Sequence, residues 1–235
     1  MIRIAHRGAS GIAPENTLVA FKKAIEIGVD AVELDLHGTV DGEVVVIHDT
    51  ALDRTTNHRG SVNQTALETI KRADAGGWFA PEFVGEPVPT LAEALECIAK
   101  QTIAVLEIKD PLIAETVVAK IRETHTQDIA VIISFHTTVL QTIRSVEPRI
   151  PTGWLIGNHN NHASPVQLCQ QLGELGCSLL NVNHQLITAE FAYEIRRRGI
   201  ALWCWTVDDL SRMREMQAFG VQGITSNHPE RFAKV

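Results

Sequence analysis

Short runs of apolar and β-branched residues alternate with amphipathic segments along the whole chain. The apolar runs predict eight strands, at residues 3–6, 31–37, 103–108, 130–134, 153–156, 179–182, 201–205 and 223–225. The amphipathic segments predict helices at residues 17–27, 91–100, 113–124, 138–146, 165–172, 189–198 and 210–219. Strands and helices that alternate in this way indicate a parallel sheet with right-handed crossovers. Eight strands within 235 residues favour closure of that sheet into a (β/α)8 barrel, the TIM-barrel architecture.

One apolar run breaks the alternation, because residues 44–47 follow the second strand too closely for a helix to intervene. The Asp-Gly pair at residues 41–42 lies between two β-rich arms and predicts a hairpin with a two-residue turn. The register that follows pairs Val40 with Glu43, Thr39 with Val44, His37 with Val46 and Asp35 with His48. By this register, His48 shares one face of the hairpin with the carboxylates of the second strand.

The segment from about residue 50 to residue 89 has weak periodicity and many polar residues. It predicts an inserted loop or subdomain over the carboxyl-terminal mouth of the barrel, where active sites of this architecture lie. Because no linker divides the chain, we expect a single domain over residues 1–235 that carries this insertion.

Three carboxylates lie near the carboxyl ends of the second and third predicted strands: Glu33, Asp35 and Glu107. Carboxylates that converge without cysteine form a hard oxygen site, which suits Mg²⁺ or Ca²⁺ better than Zn²⁺. Lys109 follows Glu107 by two residues and therefore faces the same side of the strand. Its ammonium can balance the carboxylates, hold a phosphate, or form an internal ion pair with Glu107.

Two histidines, His6 and His48, stand at predicted strand ends beside carboxylates. A single histidine there would more often be a core residue, but the two together favour an acid–base pair. Arg7, next to His6, offers a planar fork for bidentate contact with a phosphate. Two further histidines, His159 and His162, lie in a polar run that favours a surface loop over a metal site.

Composition restricts the partners that the chain is expected to have. A net charge of −7 gives no reason to expect nonspecific binding to nucleic acid or to anionic membranes. No apolar stretch approaches the ~20 residues of a membrane span, and the first residues do not resemble a signal peptide. The four cysteines have neither CxxC nor ligand-like spacing, so we expect free thiols in a reducing cytoplasm: Cys97, Cys169, Cys177 and Cys204.

Several different short motifs follow one another along the chain: His6-Arg7-Gly8, Pro14-Glu15-Asn16-Thr17, Glu33-x-Asp35, Asp41-Gly42, His48-Asp49, Arg54-Thr55-Thr56, Pro89-Thr90-Leu91, Glu107-x-Lys109, Ser134-Phe135 and Trp205-Thr206-Val207. Together this ordered set resembles the glycerophosphodiester phosphodiesterase family. The resemblance implies a TIM barrel with an insertion after the hairpin. It also implies metal-dependent hydrolysis of glycerophosphodiesters to sn-glycerol 3-phosphate and an alcohol.

The resemblance also implies roles for particular residues. It implies that the acid–base pair is His6 and His48. The ligands of one divalent cation, Mg²⁺ or Ca²⁺, would be Glu33, Asp35 and Glu107, and the phosphate contacts would be Arg7 and Lys109. Three aromatic residues either line the pocket for the glycerol or headgroup or belong to the barrel core: Phe135, Trp154 and Trp205.

Three positions depart from the family's pattern. Asn227 stands where the family commonly has an aspartate, Asp208 stands where it usually has an asparagine, and Val40 stands where a lysine often precedes the turn. The first two lie near the predicted mouth and bear on substrate details. Two alternatives stay open: a lysophospholipase D that acts on lysophospholipids, and a non-catalytic barrel that binds phosphodiesters. The second would be expected to have lost a histidine or a ligand, and every one is present.

Overall fold

A computed structural model describes residues 1–99, 101–158 and 163–235. Within them, strands alternate with helices along the chain. The strands are β1 (Ile2–Ala5), β2 (Ala31–Gly38), β3 (Val44–Val46), β4 (Ile103–Ile108), β5 (Ala130–Ser134), β6 (Thr152–Ile156), β7 (Leu179–Asn183), β8 (Ala201–Trp205) and β9 (Gly223–Ser226). All except β3 are parallel to their neighbours, and β1 pairs with both β9 and β2, so the sheet closes into a barrel. This confirms the predicted (β/α)8 barrel.

Helices connect successive barrel strands. They are α1 (Leu18–Ile27), α2 (Leu67–Lys71), α3 (Leu91–Ile98), α4 (Ala114–Glu123), α5 (Thr137–Val146), α6 (Pro165–Leu175), α7 (Ala189–Arg196) and α8 (Leu210–Ala218). Of these eight α-helices of the described residues, the short α2, in the segment after the hairpin, was not predicted. Several helices begin where a side chain caps a backbone N–H group, at Thr17, Thr90, Ser164, Thr188 and Asp209. The predicted end of α3 at Lys100, and the histidines His159 and His162, lie outside the described residues.

Apolar side chains form two layers, one inside the barrel lumen and one between the strands and the helices, and the lumen is polar only at its carboxyl-terminal end. The lumen is filled by one cluster of buried side chains: Ile4, Ala31, Val105, Ile133, Leu155, Leu179 and Trp203. Larger clusters fill the space between the strands and the surrounding helices. Because successive side chains of a strand point to opposite faces, the residues that follow Ala31 and Val105 at intervals of two also face the lumen. Polar side chains on β2 and β4 therefore stand above an apolar floor.

The hairpin differs from the prediction by one residue of register. The observed pairs are Leu36 with Val46, His37 with Val45 and Gly38 with Val44. The loop has three residues instead of two, because Gly42 adopts a left-handed φ of 83° and donates a hydrogen bond to the Thr39 carbonyl. The predicted two-residue turn and the pairing of Asp35 with His48 are therefore wrong.

His48 reaches the lumen by another route. β3 ends at Val46, and Ile47 N–H donates to the Asp35 carbonyl, one position further along β2. The carbonyl of His48 then lies 3.1 Å from Nε2 of His37. The hairpin thus carries His48 to the mouth of the barrel through the path of the chain beyond the strand and not through cross-strand pairing.

The inserted segment packs against β3 through an apolar cluster that is separate from the barrel's: Val45, Ile47, Leu52, Val62, Ile70, Ala75 and Val88. Short 3-10 helices at Val62–Gln64 and Pro81–Phe83 flank α2 within it. Val45 forms an antiparallel bridge with Thr90, the N-cap of α3. The segment is therefore anchored to the barrel at both of its ends.

The four cysteines are free thiols, as expected: Cys204 is buried, and Cys97, Cys169 and Cys177 are partly buried. In the described parts of the chain, none of the helices combines the length and the apolar character that crossing a bilayer would require.

Candidate active site

A cavity of about 130 Å³ opens at the carboxyl-terminal end of the barrel. Nearly all of the residues that the sequence predicted for a site line it: His6, Arg7, Glu33, His48, Glu107, Lys109, Phe135 and Trp205. Asp35 is completely buried behind them. Trp154 does not contribute, because Gly153 and Leu155 are the lumen-facing residues of β6, and Trp154 packs in the layer against the helices. Of the two alternatives for Trp154, pocket lining and core, the structure therefore favours the core.

The three carboxylates come together at one side of this cavity. Glu33, Asp35 and Glu107 are all buried, and each offers an oxygen that lies within 4.8 Å of the others. Glu33 Oε1 is buried and accepts no hydrogen bond from the described residues. Asp35 Oδ1 and Glu107 Oε1 each meet the ammonium of Lys109, at 3.1 Å and 2.6 Å. Three converging buried carboxylates, one of them with an oxygen that has no donor, supply the oxygen ligands that a hard divalent cation prefers, so the residues fit such an ion.

Electrostatics explain why the cluster favours cations. Burial raises the pKa of Glu33 well above its usual value and raises that of Glu107 to about 7, and the neighbouring charge of Asp35 adds to both shifts. Burial also opposes ionisation of Asp35, but Lys109 and Arg7 outweigh it and hold the pKa of that carboxyl well below its usual range. Three carboxylates this close ionise together only at a cost, which nearby cations reduce.

The loop after β1 holds Arg7 and Asp35 in place. Arg7 and Asn16 both adopt a left-handed backbone, with φ near 56° and 58°, which is uncommon for residues other than glycine. The Asn16 amide donates to Asp35 Oδ2 at 2.8 Å, and Arg7 N–H donates to Glu33 Oε2 at 2.9 Å. The Arg7 guanidinium lies 3.1 Å from Asp35 Oδ2 and donates to Glu15 at 2.8 Å. Glu15 and Asn16 were noted as a motif, but only the structure shows that they support the carboxylates.

His6 is oriented by a hydrogen bond to Asn227, which directly follows β9, the last strand of the barrel. Its Nδ1 lies 2.7 Å from Asn227 Oδ1, while the amide nitrogen of Asn227 donates to Asp208 Oδ2 at 2.7 Å. Because the carboxylate of Asp208 only accepts, the atom of Asn227 that faces His6 is its oxygen. Nδ1 of His6 therefore carries the proton and Nε2 carries the lone pair, 3.9 Å from Glu33 Oε2. Burial, with Arg7 nearby, lowers the pKa of His6 to about 4, so that the ring is neutral at pH 7.

His48 has a carboxylate as its partner. Its Nδ1 lies 2.7 Å from Asp49 Oδ1, and Asp49 is held in turn by Arg54, whose Nε donates to Asp49 Oδ2 at 2.7 Å. Arg54 also donates to both carboxylate oxygens of Glu15. Burial lowers the pKa of His48, while Asp35 and Asp49 act in the opposite direction. The inserted segment thus contributes Arg54, to which the sequence assigned no role, to the support of His48.

Aromatic side chains form the other side of the cavity. The rings of Phe135 and Trp205 meet edge to face, with centroids 5.5 Å apart and planes at 90°. The indole N–H of Trp205 donates to the backbone carbonyl of Asn181 at 3.1 Å. Asn181, which also lines the cavity, was missed by the sequence, because it is a single polar residue in an apolar strand.

Known proteins of one family are similar to this chain. The sequence profile of the glycerophosphoryl diester phosphodiesterase family matches residues 6–231. A glycerophosphodiester phosphodiesterase of Caldanaerobacter subterraneus is 37% identical over 233 residues, which cover 97% of this chain and 94% of that protein. The structure of an Oleispira antarctica phosphodiesterase in complex with the product sn-glycerol-3-phosphate is similar with a TM-score of 0.90 and 30% identity, covering 100% of this chain and 96% of that one. A glycerophosphodiester phosphodiesterase from Agrobacterium tumefaciens gives a TM-score of 0.86 with 31% identity over the whole of both chains.

Proposed function

The chain belongs to the glycerophosphoryl diester phosphodiesterase family, and from that premise we propose that it hydrolyses glycerophosphodiesters to sn-glycerol 3-phosphate and an alcohol such as choline or ethanolamine. The observation that carries the proposal is one cavity that gathers two histidines and two partly buried cations beside a cluster of three buried carboxylates. The product named for the Oleispira antarctica structure supports the choice of substrate. The free thiols support a reducing compartment, so we place the activity in the cytoplasm as part of the same proposal.

The convergence of Glu33, Asp35 and Glu107, together with the Glu33 Oε1 that has no donor among the described residues, supports a site for one divalent cation, Mg²⁺ or Ca²⁺. Such an ion, when bound, would neutralise charge on the phosphate oxygens as a Lewis acid. Asn16 and Arg7 support this ligand set by fixing the orientation of Asp35 and Glu33.

Arg7 and Lys109 hold the phosphate. Both line the cavity, and both have a raised pKa: burial favours their neutral forms, but the carboxylates around them more than offset it. They therefore stay charged and neutralise the phosphodiester anion, which otherwise repels a nucleophile. Arg7 offers a planar fork, whereas Lys109 acts as a point charge.

The two histidines divide the proton transfers. His6 is neutral with its Nε2 lone pair on the side of the carboxylates, so it accepts the proton of the nucleophile, either water or the neighbouring glycerol hydroxyl. Asp49 accepts from Nδ1 of His48 and would stabilise a positive charge on that ring, so we assign to His48 the transfer of a proton through Nε2 to the leaving alkoxide as the P–O bond breaks. The different partners of the two rings, an amide and a carboxylate, support this division.

A coupled assay for sn-glycerol 3-phosphate tests the proposal, with glycerophosphocholine as substrate in Mg²⁺, in Ca²⁺ and in EDTA. We expect turnover that depends on a divalent cation and that is abolished by His6→Ala and by His48→Ala. His125→Asn is the matched control, because His125 is exposed beyond the end of α4 and asparagine tolerates its left-handed backbone. Faster turnover of lysophosphatidylcholine than of glycerophosphocholine would contradict the proposed substrate class, and turnover by His6→Ala would contradict the proposed mechanism.

A further inference from the structure

Asn181 stands on the wall of the cavity opposite the carboxylate cluster. Its strand, β7, is the fourth strand from β2 in either direction round the barrel, so it faces Glu33 and Asp35 across the lumen. Leu179, two residues earlier on β7, belongs to the cluster that fills the lumen. Alternation along the strand therefore points Asn181 inward as well, one level nearer the mouth, and it lines the cavity.

The side chain of Asn181 has an unused acceptor. Asn181 is only 1% exposed, and its Oδ1 accepts no hydrogen bond from the described residues. Leaving a buried amide oxygen without a donor costs about 1–3 kcal/mol, so native proteins seldom keep one unless a ligand or an ordered water meets it. The indole N–H of Trp205 cannot serve, because it already donates to the Asn181 backbone carbonyl. Phe135 and Leu155, which also line the cavity, offer no side-chain donor.

We propose that Asn181 is a specificity-determining residue that accepts a hydrogen bond from a hydroxyl of the glycerol moiety, in a subsite bounded by Phe135 and Trp205. The inference rests on the proposed function, because it takes the phosphate to be held on the β2 and β4 side. From there, one arm of the diester extends across the lumen to β7 and β8. A buried acceptor selects the arm that carries O–H donors, and the aromatic rings pack on its carbon atoms.

The subsite determines which part of the substrate is recognised. A quaternary ammonium has neither an N–H nor an O–H donor, so choline leaves Oδ1 of Asn181 unpaired, whereas glycerol has two free hydroxyls. A site built to bind a hydroxyl strongly rejects the analogue that lacks it, because the buried acceptor is then left unsatisfied. Specificity should therefore lie in the polyol arm, and a diester whose glycerol is replaced by a propyl group should be a poor substrate.

Calorimetric binding of two monoesters tests the subsite without reliance on turnover. The ligands are sn-glycerol 3-phosphate and n-propyl phosphate, with Mg²⁺ or Ca²⁺ present, and the proteins are wild type and Asn181→Leu. We expect wild type to prefer sn-glycerol 3-phosphate by about 10- to 100-fold, as one hydrogen bond to a buried acceptor implies, and Asn181→Leu to lose most of that preference. Asn181→Ala serves the same comparison if leucine packs badly.

Asn183→Leu is the matched control. Asn183 lies on the same strand, but its amide already donates to Asn158 Oδ1 and its oxygen already accepts from Gln185 N–H. Its replacement should reduce stability and leave the preference for sn-glycerol 3-phosphate unchanged. An equal loss of affinity for both ligands in Asn181→Leu, or no preference in wild type, would overturn the inference. A wild-type preference that Asn181→Leu loses, combined with no turnover of any glycerophosphodiester, would instead overturn the proposed function and leave the subsite standing.

Discussion

Exchange of Asn227 and Asp208 tests the hydrogen-bond chain that orients His6. Asn227 donates twice to Asp208, from its backbone N–H to Oδ1 at 2.8 Å and from its amide to Oδ2 at 2.7 Å. Burial works to raise the pKa of Asp208, but the hydrogen bonds from Asn227 and Ser226 outweigh it, so the pKa lies below its usual value and the residue is a carboxylate at pH 8. The pair therefore consists of one donor amide and one accepting carboxylate.

Asn227→Asp alone should be strongly destabilising. It places a second carboxylate where an amide now lies 2.7 Å from Asp208 Oδ2. Two unit charges at that separation repel by about 6 kcal/mol at an effective dielectric constant of 20, an upper bound because one carboxyl will take up a proton instead. Loss of the hydrogen bond to the charged group costs about 1.5–3 kcal/mol. We expect the free energy of unfolding to fall by at least about 2 kcal/mol at pH 8.

Asp208→Asn alone leaves two amides. The new amide must accept from the Asn227 N–H and the Ser226 hydroxyl, so its nitrogen faces the nitrogen of Asn227, and Asn227 is expected to flip. A flipped Asn227 presents a donor to His6 and moves the ring proton from Nδ1 to Nε2. We expect kcat to fall by more than tenfold, with a change of tautomer visible in the ¹⁵N chemical shifts of His6.

The double variant, Asn227→Asp with Asp208→Asn, again has one donating amide and one accepting carboxylate, now at 208 and 227 respectively. Urea unfolding at pH 8 of wild type, both single variants and the double variant closes a double-mutant cycle. We expect the double variant to be more stable than the two single effects added together predict, by at least about 1 kcal/mol, and to recover the Nδ1–H tautomer. Additive effects, or an Asn227→Asp variant within about 0.5 kcal/mol of wild type, would refute the reasoning.

Three further changes have expected outcomes. Glu33→Gln should raise the melting temperature in EDTA by several degrees, because it removes a buried carboxylate oxygen whose missing hydrogen bond costs about 1–3 kcal/mol. The same variant should show no stabilisation by Mg²⁺ or Ca²⁺ in calorimetry. Arg54→Ala should lower kcat on glycerophosphocholine by about 10- to 100-fold with little change in KM, because misplacement of His48 affects only the chemical step. Gly8→Ala should destabilise by about 3 kcal/mol in urea unfolding, because its φ is 81° and a Cβ there would lie 2.7 Å from a backbone carbon of α1.

Controls separate these effects from general damage. Arg59→Ala changes an exposed arginine on the same inserted segment and should leave kcat unchanged. Gly85→Ala meets the same left-handed strain at a φ of 91° with open space around it, so it should cost only about 1–2 kcal/mol. An Arg54→Ala variant with wild-type kcat, a Glu33→Gln variant that metal still stabilises, or equal losses for the two glycine variants would contradict the respective reasoning.

The alternation of strands and helices was predictable because the spacing of apolar residues differs between strands and helices. Several helices also begin at a capping side chain, such as Thr90 and Ser164. The hairpin register was not, because an Asp-Gly pair suits both a two-residue turn and the three-residue loop that forms here. The choice between pocket and core for Trp154 stayed open for a related reason: β6 is buried on both faces, so its sequence does not show which residues face the lumen.

The polar residues at strand ends were predictable as a group, since parallel strands bring their carboxyl ends to one mouth. Their partners were not. The sequence pointed to Asn227 and Asp208 only separately, and it is the fold that shows that the two residues bond to each other. Asn181 carries no motif, and its importance follows only from the burial of an acceptor without a donor.

Phosphorus NMR of glycerophosphocholine hydrolysis tests the central claim most directly, because it identifies the products as well as the rate. With wild-type protein and Mg²⁺ or Ca²⁺, we predict that the substrate resonance is replaced by that of sn-glycerol 3-phosphate, and that EDTA prevents the change. Appearance of phosphocholine, which would mean cleavage of the bond on the glycerol side of the phosphorus, or an unchanged substrate resonance in every cation, would contradict the account.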